Sequence, residues 1–241
     1  MIINLDKFWR VIFGLFSCVV LGHVIGVFLN FGHGIGTQYP DTLLLNLFFF
    51  GSEKNITALF SSYLFIVVGL CFHCLAKEYI EQKSGWKWLR NIAIYLALDE
   101  WFAIHDTTLN GLGLGPLDVP YWVWVYAGLC CLLLLKLIPF IKHISSYLMR
   151  YLIIGAAVFI CGAAVMEAVT YQNQEFNSLF FQTGLFFEDG LEMSGLMITV
   201  YGLFSYFKRQ KIITLMFPKL FCISAFVIGI LDFAVSYYIY R

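Results

Sequence analysis

Charge is what this sequence has least of. Fifteen Lys and Arg and fifteen Asp and Glu make up 12% of its 241 residues, where soluble domains carry about 25%. The deficit excludes an ordinary water-soluble domain. The two signs balance to a net charge of zero and no basic stretch occurs, which excludes nucleic acid as a partner. Proline is also sparse, with five residues. No low-complexity linker, long charge run or internal repeat divides the chain, so it reads as one domain over 1–241. An extracellular disulfide framework is missing too. The seven cysteines (18, 71, 74, 130, 131, 161 and 222) all lie in apolar segments, where small buried hydrophobes belong. Cys71-Phe72-His73-Cys74 has redox spacing, but no resolving partner is evident and the pair reads as packing.

What the chain does have is hydrophobic length. It is 61% hydrophobic and 19% aromatic, with mean hydropathy +0.81. A membrane span takes about 20 apolar residues. Seven stretches qualify, at about 9–31, 57–77, 89–109, 121–139, 151–171, 183–206 and 216–239. The first follows Lys7 and Arg10 as a signal peptide would, but no small-x-small cleavage site comes after it, so it is expected to stay as a span. If the N-terminus is cytoplasmic, thirteen of the fifteen basic residues fall on the inside and only Lys54 and Arg241 outside. The positive-inside rule then predicts an all-α bundle of seven spans, N-in and C-out, in a bacterial inner membrane. The segment at about 41–50, with Leu43-Leu44-Leu45-Asn46-Leu47-Phe48-Phe49-Phe50, is too short to cross and too apolar for a free loop. A short interfacial or re-entrant helix is expected there. Tyr121, Trp122 and Trp124 read as an aromatic belt.

Against this background ten ionisable residues stand out, eight acids and two histidines in five of the predicted spans. The densest group is Leu98-Asp99-Glu100-Trp101-Phe102-Ala103-Ile104-His105-Asp106 in the third span. Glu167 follows in the fifth span, Glu188, Asp189 and Glu192 in the sixth, and His23 and Asp232 in the first and seventh. An acid at the bilayer centre costs roughly 2.5–3.5 kcal/mol on insertion scales, so these groups should face a protein interior. The predicted helix directions bring them all to the outer half of the membrane. No Lys or Arg lies at that depth to neutralise them, which leaves protonation, a solvated cavity or a bound cation. On a continuous third helix, Asp99 and Asp106 would be about 10 Å apart along the axis. Asp99 and Glu192 are expected at the deeper end of one shared cavity, with His105, Asp106, Glu167 and Glu188 nearer its mouth. The third and sixth helices should then be neighbours.

At these residues the chain resembles a set of uncharacterised bacterial multi-span membrane proteins. Their motifs are Leu-Asp-Glu, four residues, His-Glu; then an isolated Glu; then Glu-Glu-x-Leu-Glu-Met-x-Gly. The corresponding stretches are Leu98-Asp99-Glu100…His105-Asp106, Glu167, and Glu188-Asp189-Gly190-Leu191-Glu192-Met193-Ser194-Gly195. Asn55-Ile56-Thr57 is similar to an outer-loop Asn-Ile-Pro-Thr element with its proline missing. The likeness covers roughly 50–207, and implies a fold and site positions but no activity.

Carboxylates and histidine gathered from several helices are how bundle-core metal sites are built. The leading expectation is therefore a metal-dependent intramembrane hydrolase acting on a lipid or lipid-linked substrate. Asp99, His105, Asp106, Glu167 and Glu192 are the candidate ligands for Zn, Mn or Fe. Glu188 and Asp189 are the candidate catalytic carboxylates. Glu100, His23 and Asp232 are secondary members. A proton- or cation-coupled transporter is the alternative, weakened by the missing inverted repeat. A structural subunit of a membrane complex is the third reading. The expected ligands are membrane lipid, a small molecule or a cation.

Overall fold

The computed structural model of the protein describes residues 5–32, 47–50, 55–105, 121–166, 168–169 and 179–211. Among the described residues every regular element is helical. In chain order these are α1 (Leu5–Gly32), α2 (Ile56–Glu78), a 3₁₀ turn (Ile80–Gln82), α3 (Lys83–Phe102), α4 (Tyr121–Ile141), α5 (Ser146–Ile160) and α6 (Leu179–Arg209). Helix α5 runs on into a π-helical turn, Cys161–Met166.

Among the described residues four stretches are long and apolar enough to cross a membrane: Leu5–Phe28, Ile56–Glu78, Tyr121–Ile141 and Ser146–Met166. This is consistent with a membrane protein. Helices α3 and α6, with 20 and 31 residues, have the length to cross at 1.5 Å per residue. They fall short on composition, because they carry the acids and the basic ends. The predicted seventh span (216–239) lies outside the described residues, as does most of the segment at 41–50.

Helix α2 is the axle of the bundle. Of the apolar window in α2, 72% is buried, against 22%, 6% and 17% in α1, α4 and α5. It packs most extensively on α3 and also against α6 and α1. Leu64, Val67, Cys71 and Leu75 are fully buried on it and join Val200, Leu203 and Phe207 of α6 in the core. Small residues let α3 sit close to α2. The Ser62 hydroxyl donates to the Ala97 carbonyl at 2.6 Å, and a Cβ on Gly69 would meet Ile94 at 3.4 Å. Asn55 starts the helix. Its Oδ1 accepts from the Ala58 N–H at 3.0 Å and its Nδ2 donates to the Phe49 carbonyl at 2.6 Å.

Helices α5 and α6 approach through glycine, as membrane helices do where backbones touch. A Cβ on Gly195 would lie 2.5 Å from the Gly155 carbonyl and from the Phe159 nitrogen. A Cβ on Gly162 would lie 2.6 Å from the Glu188 carbonyl. These backbone atoms cannot rotate aside, so the spacing of the two helices depends on the missing side chains.

The two ends of the bundle differ in charge. At one end Lys208 pairs with Asp6 at 2.9 Å, Arg90 reaches His73 at 3.2 Å, and Tyr79 and Tyr206 share a hydrogen bond of 2.7 Å. Burial, then that hydrogen bond, pushes the Tyr79 hydroxyl above its ordinary pKa. At the other end Phe50 N–H donates to His23 Nδ1 at 3.1 Å, and the two rings stack at 4.2 Å.

Two predicted span limits need correction. The third span was expected over 89–109, yet α3 begins at Lys83 and stops at Phe102. The fifth was expected as one regular helix over 151–171, yet its regular part is Ser146–Ile160 and the next turn is widened. Both departures fall beside the acids.

Candidate functional site

The site begins where α3 ends. Ala103 adopts a left-handed conformation (φ 50°, ψ 48°), and its N–H donates to the Asp99 carbonyl. For a residue with a Cβ this conformation costs roughly 1–2 kcal/mol, so surrounding contacts must hold it, as is common at functional sites. Asp99 supplies them. Its Oδ1 accepts the His105 backbone N–H at 3.0 Å, and its Oδ2 lies 3.3 Å from His105 Nδ1. The turn thus folds His105 back onto Asp99. The expected axial spacing of Asp99 and Asp106 involves a residue outside the described ones.

Helix α4 completes the anchorage. The Tyr126 hydroxyl donates to Asp99 Oδ2 at 2.9 Å and shares a second hydrogen bond of 2.8 Å with Tyr95. Trp122, one turn before Tyr126, puts its ring 4.8 Å from that of His105. It meets the Tyr126 ring edge-on at 5.6 Å. Asp99 is 6% exposed, and its two oxygens receive three contacts. These satisfy a buried carboxylate by hydrogen bonding in place of a basic side chain. With Nδ1–H directed at the carboxylate, the His105 tautomer that leaves Nε2 as the basic nitrogen is favoured.

Asp99, Glu100 and His105 share a cavity of about 800 Å³ with Glu188, Asp189 and Glu192 of α6. Glu188 and Glu192 stand one turn apart on the same face. The π turn of α5 adds Ala163 and Ala164 to the wall, where its wider coil re-aims the backbone opposite Glu192. The polar groups are gathered at one end. Beyond Tyr126 the lining is built from side chains such as Phe72, Leu89, Leu137, Phe140 and Ile144. Thr199 is the hydroxyl along this stretch, and it is turned to the Gly195 carbonyl at 3.0 Å. On α4 the lining extends from Trp122 to Ile141, about 28 Å of helix at 1.5 Å per residue. That approaches the hydrocarbon thickness of a bilayer, about 30 Å.

Of the six residues expected to converge, Asp99, His105, Glu188 and Glu192 line this one cavity, and Glu100 and Asp189 line it with them. Helix α2 packs against both α3 and α6, and α3 and α6 share the walls of the cavity. His23 is elsewhere, 2% exposed and occupied with Phe50 and Phe186, so it is a structural clamp. Asp106, Glu167 and Asp232 lie outside the described residues. Among the described residues no three His, Cys, Asp or Glu side chains form a metal-holding group. The CxxC cysteines are free thiols, Cys71 buried and Cys74 half-buried. Sequence reasoning missed Tyr126, although its four-residue spacing from Trp122 on an apolar helix was a usable signal. It also missed the Ala103 turn, for which Trp101-Phe102-Ala103-Ile104 offers no Gly or Asn as a marker.

A family model described as "Domain of unknown function (DUF8692)" matches residues 11–207. The chain belongs to that family. The matched region takes in all the described walls of the cavity, so the cavity lies wholly within the family's domain. No curated protein and no solved structure matches the chain.

Proposed function

We propose that this member of the family is an intramembrane hydrolase that takes a lipid or lipid-linked amphiphile into the cavity and cleaves it at the acid–histidine end. The carrying observation is continuity: the apolar slot and the polar cluster belong to one void. Its volume, about 800 Å³, falls in the range of roughly 300–1,000 Å³ usual for ligand sites. An amphiphile fits a long apolar wall closed by a polar end. In this reading His105 is the general base, with Asp99 fixing its tautomer and orientation and Tyr126 fixing Asp99. Glu188 and Asp189 are the carboxylates that exchange protons with the leaving group. A divalent ion, where one is used, would be held by carboxylates led by Glu192, with Asp106 and Glu167 as further candidate ligands, and would activate water, leaving His105 Nε2 as the base. Asp99, already engaged on both oxygens, is then better suited to orient a ligand than to be one.

We place this site in a bundle of seven spans, N-in and C-out, in a bacterial inner membrane, with the acids in the outer half. The separation of the basic end from the acidic end supports that orientation. The motifs around Asp99 and Glu192 are proposed as the part of the domain that relatives share. Ion or proton transport is less well supported. Among the described residues the lining beyond Tyr126 offers no ionisable relay toward the basic end, and an ion crossing it would meet the cost of apolar surroundings.

The test is to incubate detergent-purified protein with membrane lipid extract in mixed micelles and follow products by mass spectrometry. The metal content of the same samples is measured alongside. Wild type should accumulate a cleaved product, and His105→Ala and Glu192→Gln should abolish it. Absence of any lipid-derived product, or equal product from His105→Ala, rejects the hydrolase reading.

A further inference from the structure

The side of the α2–α3 hairpin that faces away from the cavity carries a second set of charges. On α3 the cavity side is Leu89, Ile92, Ala93 and Leu96. At about 100° per residue, Lys87, Arg90, Asn91, Ile94 and Leu98 are turned to the opposite side. Arg90 is half-buried there, and its guanidinium is held between the two helices. Its Nε and one terminal nitrogen donate to Asn91 Oδ1 at 3.0 and 2.7 Å. Its other terminal nitrogen lies 3.2 Å from His73 Nδ1 of α2. Both partners are neutral acceptors in these contacts, so the group is positioned while its charge is left unbalanced. A guanidinium has five N–H groups, and these contacts use three of them. Lys77 and Lys87 are exposed, and together with Arg90 they are the charges that reach His73. Among the described residues none of these three cations is in an ion pair. Glu78, next to Lys77 on α2, acts on Tyr79 instead.

Apolar surface continues from this cluster toward the middle of the bundle. Ile94 and Leu98, one and two turns beyond Arg90, are 45% and 46% exposed. Leu70, one turn before His73 on α2, is half-buried. We infer that this surface binds an anionic phospholipid of the leaflet at the basic end. The phosphate is seated on the N–H groups that Arg90 has left, between Lys77 and Lys87, and an acyl chain runs along Ile94 and Leu98. Guanidinium groups suit phosphate oxygens, and basic pockets between spanning helices recognise anionic lipid heads. The apolar strip directly below the cations favours a lipid over a soluble phosphate. The inference goes beyond the proposed function, uses none of the cavity's lining residues, and stands whether or not the chain is a hydrolase.

The probes are phosphatidylglycerol and phosphatidylcholine with the same acyl chains. Each is added to the full detergent-purified chain, and binding is measured by native mass spectrometry. Wild type should bind phosphatidylglycerol roughly tenfold tighter. Lys87→Gln with Arg90→Gln should bring it down to the level of phosphatidylcholine. Arg150→Gln with Lys211→Gln removes the same charge from exposed positions on the α5–α6 side, and should leave the preference intact. If the Arg90 variant fails to fold, Lys77→Gln with Lys87→Gln, both at exposed positions, should still reduce the preference at an unchanged Tm. Equal binding of the two lipids by wild type would overturn the inference. So would an equal loss in the Arg150 and Lys211 pair, because net charge at that end would then set the preference. Displacement of phosphatidylglycerol by glycerol phosphate at a similar concentration would overturn the lipid assignment, since the strip would then contribute nothing.

Discussion

Asp99 is the residue whose loss the structure prices most directly. Replacing it with alanine strands one part-buried donor, the His105 backbone N–H now held at 3.0 Å, and turns the Tyr126 hydroxyl, now held at 2.9 Å, to Tyr95 as its remaining partner. A donor left without a partner costs about 1–3 kcal/mol, so Asp99→Ala should lose about 1–3 kcal/mol. For a chain of this size that converts at roughly 2–4 °C of Tm per kcal/mol. Asp99→Asn behaves differently. Its amide oxygen still accepts from His105 N–H, and its amide nitrogen donates to a Tyr126 hydroxyl that rotates to accept. The asparagine variant should therefore melt within about 1 kcal/mol of wild type while losing the charge that orients His105. Thermal unfolding in detergent, followed by tryptophan fluorescence, measures both. A Tm for Asp99→Ala equal to wild type would refute the burial and bonding described for Asp99. Equal losses in Asn and Ala would show that charge, and not donor satisfaction, sets the cost. A double-mutant cycle with Tyr126→Phe should return a coupling well above the error of additive sites.

Three further outcomes follow from the packing. Gly195→Ala should destabilise by about 1–3 kcal/mol, since its Cβ would meet backbone that cannot yield; Gly128→Ala, with nothing within 4 Å of its Cβ, should be neutral or slightly stabilising in the same melt. His23→Phe keeps a ring but leaves the Phe50 N–H without its acceptor, costing about 1–3 kcal/mol; hydrogen exchange at Phe50 should rise while amphiphile binding holds. Lys208→Ala breaks an ion pair whose side chains are 67% and 61% exposed, and solvent screening should keep the change in Tm close to zero.

How much of this was legible beforehand depended on the kind of signal. Long apolar runs announce helices, because backbone groups in lipid must be satisfied within the segment. Accordingly the first, second and fourth spans were placed to within a few residues. The acids of α3 and α6 were legible as ionisable groups set in apolar runs, and five of them, Asp99, Glu100, Glu188, Asp189 and Glu192, line one cavity. Ala103 was not legible. It ends α3 because Asp99 captures His105, a tertiary contact that local propensity does not encode. The π turn at Cys161–Met166 was hidden for a similar reason. It sits where Gly162 lets the α6 backbone come close, and close approach is a property of two helices together. Tyr126 was visible only as one aromatic among many, since its role depends on what lies opposite.

The account stands on the claim that the cavity takes an amphiphile, and native mass spectrometry of the detergent-purified chain tests it most directly. Ala156 lines the cavity and its own surface is exposed, so Ala156→Trp fills the slot without disturbing the core. Wild type should release one bound amphiphile per chain, and Ala156→Trp should release none at an unchanged Tm. A wild-type chain that carries no amphiphile from cells and takes up none when offered, or an occupancy equal in the filled variant, would contradict the account.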